Sequence, residues 1–266
     1  MGYAKGYSIR ELLACFLSHD IEDGEIGTVG ATMPTARAAV LLAHLTHAPN
    51  LTALIGYSKT SLLNIPTIGS VHSETDFRQT RWAECYCRDE DLNTVELKRA
   101  LQQCRFYIGA LQIDKYGNSN LIGIGRDPRR LTVRGPGGVG TTVMTTYAKY
   151  YYIIVESHDK RVFVENCDYV SAVGWGDGGA EGRKKLGLPG GGPRYVLTPM
   201  CIMDFEENTK RIRLRSIHPG ITVEQVINNT GFELVIPGEV PTTEPPTKNE
   251  LWLLRNRIDV EGLLKD

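Results

Sequence analysis

The sequence predicts an α/β protein built on an open, layered sheet, and three observations predict it. Helix-like and strand-like patterns alternate from residue 8 to residue 55, an order that gives parallel strands joined by crossovers on both faces. The apolar run Tyr107–Ile113 stops at Asp114, turns through Tyr116, Gly117 and Asn118, and is followed by the glycine loop RGPGGVGTT from Arg134 to Thr142. Strands that empty into backbone-rich loops are where such sheets bind ligands. With 266 residues, 41% of them apolar, the chain can bury about three-quarters of its unfolded surface, enough for a core without staples. One large domain or two closely joined lobes is expected, and the chain is read as a single domain over 1–266.

The elements follow in order. Ser8-Ile9-Arg10-Glu11 is a capping box, and behind it Ile9, Leu12, Leu13, Phe16 and Leu17 recur at helical spacing, with Gly24 as the expected stop. GEIGTVG (24–30) reads as a short strand with a glycine exit. Pro34–Thr46 is an alanine- and leucine-rich helix that ends before Pro49. Leu51–Ile55 is the next buried strand. Residues 57–92, with Pro66 and Trp82, show no period and are expected to form an excursion over the active face. Helix returns over Thr94–Cys104 and strand over Phe106–Ile113.

In the second half, Leu131–Val133 is a short strand ahead of the glycine loop. Tyr151–Val155 is another, turning at His158-Asp159-Lys160 into Arg161–Val164. Nine glycines fall in the twenty residues from Gly174 to Pro193, so backbone geometry is expected to matter more than side chains there, in a lid or a subunit contact. Tyr195–Asp204 and Arg211–Ser216 flank Glu206-Glu207-Asn208-Thr209 as a hairpin. Thr222–Asn229 is a short helix, 237–246 a proline-rich linker, and 247–264 a terminal helix capped by Thr247.

Composition narrows the function. A formal charge of −1 and a pI near 6.6 leave no basic footprint for nucleic acid or an anionic membrane surface. The cysteines at 15, 85, 87, 104, 167 and 201 have no CxxC spacing, and Cys85-x-Cys87 is too tight for a zinc knuckle. They read as reduced, mostly buried thiols of a cytoplasmic protein. No apolar segment reaches 18 residues, and acids at 11, 20, 22 and 23 interrupt the N-terminal region. His44 and His47 are three apart without a third ligand, so no metal is expected, and His218, ahead of Pro219-Gly220, reads as a turn residue.

The glycine loop fits G-x-G-x-x-G at Gly135, Gly137 and Gly140, with Glu156 near the place of a ribose-binding acid. The match sits mid-chain, and a hairpin and a glycine-rich loop replace the second half that a dinucleotide site needs. The preferred reading is that successive amides converge on a phosphate or a thioester oxyanion. The alternative is a tight turn before a helix. Gln112, Asp114 and Asn118 crowd a strand end, where they either orient a substrate or, for Asp114 and Asn118, hydrogen-bond their own turn.

Taken together, DGEIGTVGATMP (23–34), HAPN (47–50), YIGALQIDKYGNSN (107–120), RGPGG (134–138), KRVFVENCDYVSAVGW (160–175), LGLPGGGP (186–193), MDFEENTKRIRL (203–214), HPGITVEQVINNTGF (218–232) and ELWLLRNRID (250–259) make the chain similar to the β-type subunits of the heteromeric class I coenzyme A transferases, most closely the glutaconate CoA-transferase branch. The resemblance covers nearly the whole length. It implies an open α/β sheet of the CoA-transferase type and a homologous α-type partner in an αβ or (αβ)₂ assembly. It implies a coenzyme A thioester as substrate and no permanently bound cofactor.

In that family a β-subunit glutamate attacks the acyl-CoA, through an acyl anhydride and a glutamyl-CoA thioester. Matching the strand after HAPN onto Leu54-Ile55-Gly56-Tyr57-Ser58 puts Gly56 at the glutamate's position. Glycine cannot act as a nucleophile, and the nearest downstream carboxylate is Glu74. Relatives of this branch that lack the glutamate resemble hydrolases that open cyclic oxo-acyl-CoA rings in steroid degradation, and decarboxylases of glutaconyl-type esters. The expectation is therefore an acyl-CoA enzyme subunit with hydrolase-like or lyase-like chemistry. Gly135, Gly137 and Gly138 would donate to the thioester oxygen, Gln112 and Asn118 would orient the acyl group, and Gly56 would open the pocket. True transfer by another carboxylate and a catalytically silent structural subunit are the alternatives.

Overall fold

The computed structural model describes residues 2–29, 33–55, 58–60, 68, 85–86, 101–138 and 140–265. They cluster into two compact units, one formed by Met1–Tyr107 with Glu244–Asp266, the other by Ile108–Thr243. Gly56, Glu74, Trp82, most of 57–92 and the segment 94–100 lie outside the described residues.

The first unit opens with helix α1 (Ile9–His19), and its capping box forms as expected. The Ser8 hydroxyl accepts from the Glu11 amide at 3.1 Å, and the Glu11 carboxylate returns to the Ser8 amide at 2.8 Å. The helix ends before the expected stop: Asp20 is its C-cap, where its carboxylate is held by Arg105 at 2.6 Å. Gly24, at φ +81°, instead shapes the turn into strand β1 (Ile26–Val29).

Helix α2 (Pro34–Thr46) and strand β2 (Thr52–Ile55) complete a β-α-β unit. Pro34 sits in the first turn, where its missing N–H costs nothing. Every residue from Thr35 to Ala43 is buried, and alanines at 36, 38, 39 and 43 keep the helix thin enough to pack all round. A Cβ on Gly27 would lie 3.1 Å from a Val40 methyl, so that glycine lets α2 settle on β1. Strands β3 (Ser58–Thr60) and β4 (Cys85–Tyr86) add antiparallel edges beyond β2, inside the segment expected to be irregular. Strand β5 (Cys104–Ile108) pairs in parallel with β1 on its other side. Cys104 thus opens a strand rather than closing a helix. The order in this unit is β5-β1-β2-β3-β4.

The terminal helix is shorter than its pattern suggests. It spans Lys248–Leu253 and continues as a π-helical turn over Leu254–Ile258. Asp259 then stops it, its carboxylate accepting from the amides of Leu263 at 2.7 Å and Leu264 at 2.8 Å. Two glutamates are exchanged between the first and last helices. Glu11 also binds Arg255 through two hydrogen bonds of 2.7 and 2.8 Å, while Glu250, which completes the capping box of Thr247, pairs with His19.

In the second unit the apolar run 106–113 divides. β5 ends at Ile108, and β6 (Gln112–Ile113) belongs to a separate ribbon with β7 (Ser119–Asn120). Strands β8 (Gly123–Ile124) and β9 (Val133–Arg134) form a hairpin, followed by helix α3 (Thr141–Tyr147). Strand β10 (Tyr150–Ile154), helix α4 (Gly182–Lys185), strands β11 (Pro193–Leu197), β12 (Cys201–Phe205) and β13 (Ile212–Ile217), and helix α5 (Val223–Asn229) complete it. β10 and β11 are parallel, and the pairs β11/β12 and β12/β13 antiparallel. Tyr195–Asp204 is two strands because the Thr198 hydroxyl accepts from the amides of Met200 and Cys201, both at 3.1 Å, and turns the chain. Arg161–Val164 is not a strand: the Asp159 carboxylate holds its own turn through the Arg161 amide at 2.8 Å, and Phe163 makes a lone bridge to Ile113.

Candidate functional site

The loops after β6 are built on short polar side chains. Asp114 accepts from the amides of Tyr116 at 2.9 Å and Asn118 at 3.1 Å through one oxygen, and from the Asn118 side-chain amide at 2.8 Å through the other. Such Asx geometry needs a left-handed residue, supplied by Gly117 at φ +73°. Burial pushes the Asp114 carboxyl above its usual range, against the opposing pull of those hydrogen bonds. Asn118 then reaches away from its own turn, donating to the Gly176 carbonyl at 2.9 Å and accepting from the Gly174 amide at 2.9 Å. A Cβ on Gly174 would collide with the backbone of Tyr116 and Gly117, so the two loops touch backbone to backbone.

Gln112 is engaged in the same manner. Its carbonyl oxygen accepts from the Asn120 side chain at 2.7 Å and the Asp168 amide at 3.0 Å, and its NH₂ lies 3.4 Å from the Asp168 carboxylate. Asp168 also takes the Gly125 amide at 2.8 Å. Gln112 and Asn118, the two candidates for orienting an acyl group, thus serve the loops themselves. Gln112 fastens β6 to β7 and to the base of the β8–β9 hairpin, and Asn118 fastens its turn to the glycine-rich segment.

The glycine loop extends the β8–β9 hairpin. The Gly135 amide donates to the Ile122 carbonyl at 2.9 Å and the Gly137 amide to the Leu121 carbonyl at 3.0 Å. Gly135 lies so close to that chain that a Cβ would strike the Leu121 carbonyl, and Gly137 has φ +89°. The Gly138 amide has no partner among the described residues, while the Gly138 carbonyl accepts from Thr141 to start α3. Of the three candidate donors, Gly138 is thus the one whose N–H meets no acceptor among the described residues. The antiparallel β8–β9 pairing ahead of the loop also differs from the strand-to-helix crossover that a dinucleotide fingerprint requires.

Arg183 lies within 174–193, where the sequence pattern predicts a loop governed by backbone and singles out no side chain. It is buried, and all five of its N–H groups meet backbone carbonyls. Nε donates to Gly190 at 2.9 Å, one terminal nitrogen to Val173 and Gly174 at 2.7 and 3.1 Å, the other to Thr145 and Thr146 at 2.9 and 3.4 Å. The last two are carbonyls of the final turn of α3, where a cation is favourable. Gly192, at φ +82°, leaves room for it; a Cβ there would lie 2.7 Å from the Arg183 side chain. Burial lowers its pKa from the usual guanidinium value. A loop rich in glycine exposes many carbonyls, and one arginine collects them.

The remaining titratable groups of this unit are embedded. His158 lies between the hydroxyls of Thr198 at 2.9 Å and Thr230 at 3.1 Å and is pushed down to about 4 by burial. His218 does head a turn, as expected, but it is buried, bonded to the Thr198 carbonyl at 2.9 Å and Thr243 at 3.0 Å. The Cys201 thiol is pushed up to about 12 by burial. Cys167 is raised for the same reason and lies 3.3 Å from the Asn118 carbonyl. Neither is a thiolate nucleophile at neutral pH. Cys15, Cys104 and Cys201 are buried thiols outside any disulfide, as expected. Among the described residues, no group of three His, Cys, Asp or Glu could hold a metal ion, and no helix is long and apolar enough to cross a membrane.

Comparison with known proteins places this fold and these loops in a family. The coenzyme A transferase family matches residues 11–229, and the chain belongs to it. The β subunit of glutaconate CoA-transferase from Acidaminococcus fermentans is 33% identical over 257 residues, 95% of this chain and 93% of that one. The crystal structure of that transferase superposes with a TM-score of 0.86, covering 100% of this chain and 99% of the other at 29% identity. The β subunit of 3-oxoadipate CoA-transferase from Pseudomonas knackmussii is 34% identical over 255 residues, 94% of this chain and 92% of that one. The IpdB subunit of a cholesterol ring-cleaving hydrolase from Rhodococcus jostii is 32% identical over 165 residues, 59% of this chain and 60% of the relative.

Proposed function

We propose that this chain is the β-type subunit of a two-subunit enzyme that acts on an acyl-CoA thioester, paired with a homologous α-type subunit in an αβ or (αβ)₂ assembly. Its chemistry is hydrolase- or lyase-like. The observation that carries the reading is Gly56, which stands in the sequence where the family's nucleophilic glutamate is expected. Without that carboxylate no glutamyl-CoA thioester can form, and the thioester meets water or a proton-transfer group instead. Similarity to a ring-cleaving hydrolase subunit supports this.

The Gly138 amide donates to the thioester oxygen as charge develops there. Gln112 and Asn118 act as positioning residues, holding the loops that shape the acyl site. A second reading, true CoA transfer through another carboxylate such as Glu74 or one from the partner, is favoured by the two relatives that match over most of the chain, both named as transferase subunits.

The test is incubation of the chain, together with its partner subunit, with glutaconyl-CoA, 3-oxoadipyl-CoA and cyclic oxo-acyl-CoA esters, with and without acetate, products being identified by mass spectrometry. The expected outcome is acetate-independent ring opening, decarboxylation or release of CoA. Acetyl-CoA formed only with acetate would establish transfer and overturn the reading of Gly56.

A further inference from the structure

The β8–β9 hairpin carries Arg126, Arg129, Arg130 and Arg134, four guanidinium groups in nine residues of a chain whose formal net charge is −1. All four are exposed, and none makes an ion pair among the described residues. The hairpin's own carboxylate, Asp127, accepts from the Arg129 amide at 2.9 Å, and the Asp127 carbonyl accepts from the Arg130 amide at 2.9 Å. It shapes the tip rather than neutralising it.

The base of the hairpin is fixed by the Gly125 amide on Asp168 and by the pairing of Gly123 with Arg134. Four exposed guanidinium groups on one hairpin make a positively charged surface that attracts anions, and the arginine fork suits phosphate oxygens in particular. Arg126, Arg129 and Arg130 lie in the turn around Asp127, and Arg134 lies in β9, so the charges run from the tip of the hairpin to its base. The hairpin runs directly into the glycine loop, with Arg134 four residues before Gly138, whose amide meets no acceptor among the described residues.

We propose that the arginine hairpin binds the phosphate groups of the coenzyme A moiety, so that hairpin and Gly138 hold opposite ends of one thioester. The inference rests on the acyl-CoA reading above. The test compares the assembled enzyme with its Arg126→Gln/Arg129→Gln/Arg130→Gln variant. The dissociation constants of CoA and of a non-hydrolysable acyl-pantetheine analogue, which lacks the nucleotide phosphates, are measured by calorimetry at two salt concentrations.

The expected result is a tenfold or greater loss of CoA affinity in the variant, a weaker salt dependence, and unchanged affinity for the pantetheine analogue. Equal CoA affinity in wild type and variant would overturn the hairpin's role while leaving the acyl-CoA reading intact. Equal weakening toward both probes, or failure of the variant to join its partner, would assign the hairpin to folding or to subunit contact and overturn the proposal. A wild-type assembly that binds neither probe would overturn both.

Discussion

The amide of Gly174 donates to the side-chain oxygen of Asn118 at 2.9 Å, and the other end of the same asparagine donates to Asp114 and Gly176. One buried amide thereby orients two loops 56 residues apart in sequence.

Replacing Asn118 with Ala removes three hydrogen bonds and leaves the Gly174 amide unsatisfied, at a cost of about 2 to 3 kcal/mol. Asn118→Asp is a sharper test. It keeps an acceptor for Gly174 but sets a second carboxylate against buried Asp114, so one of the two must hold a proton. Urea unfolding of the variant is expected to show lower stability at pH 8 than at pH 5. Equal loss at both values would contradict the Asp114 contact.

Arg183→Ala is expected to be among the most damaging single changes in this unit. It strands five carbonyl contacts at once and costs roughly 3 to 5 kcal/mol. Arg183→Lys keeps the charge with three donors, so it should recover only part of the loss. A lysine variant as stable as wild type in chemical denaturation would show that charge, not the five-fold fork, is what matters.

His158 gives the second unit an acid-sensitive core. Its imidazole titrates at about 4 when folded and 6.5 when free, so between those values the unfolded chain takes up a proton that the folded chain refuses. Stability from this group is complete above pH 6.5 and declines as pH falls to about 4, by about 3 kcal/mol in all. His158→Asn should flatten the pH profile of the unfolding free energy across that interval. An unchanged slope would assign the acid sensitivity to another group.

The Glu11–Arg255 pair is accessible to a double-mutant cycle with Glu11→Gln and Arg255→Gln. Glu11 is 1% exposed and the contact is two-pronged, so a coupling of about 1 to 2 kcal/mol is expected, above that of an exposed pair. A coupling near zero would mean that Glu11 serves only its own capping box.

Gly56→Glu should restore the family's nucleophile. Treating the partnered variant with acyl-CoA and then borohydride is expected to reduce a glutamyl-CoA thioester, detectable by peptide mass, and to produce acetate-dependent transfer. A variant that binds CoA yet yields neither would place the family glutamate elsewhere in the chain.

Where the deciding interactions were local, the sequence alone was sufficient. Ser8 and Glu11 are three residues apart, Pro34 marks its own helix start, and both helices begin where those residues say. Gly109 and Thr198 divide what look like continuous apolar runs, because a strand's length is set by the partner it pairs with. Gly135, Gly137 and Gly138 form one motif, yet whether each amide is engaged depends on Leu121 and Ile122 across a hairpin. Arg183 was invisible for the same reason. Its five acceptors come from segments 145–146, 173–174 and 190, and nothing in a glycine-rich string shows that they converge on one side chain.

The exchange of Glu11 and Glu250 between the first and last helices has a consequence for biosynthesis. The unit that contains residues 1–107 also takes in residues 244–266, so Arg255 and Glu250 are synthesised after the whole of the second unit. The second unit, encoded in one uninterrupted stretch, can fold while α1 still lacks its partner. The unit that α1 opens is thus closed only after the second unit has been made, and a chain truncated after Pro246 would keep all of the second unit but lose the partners of Glu11 and His19.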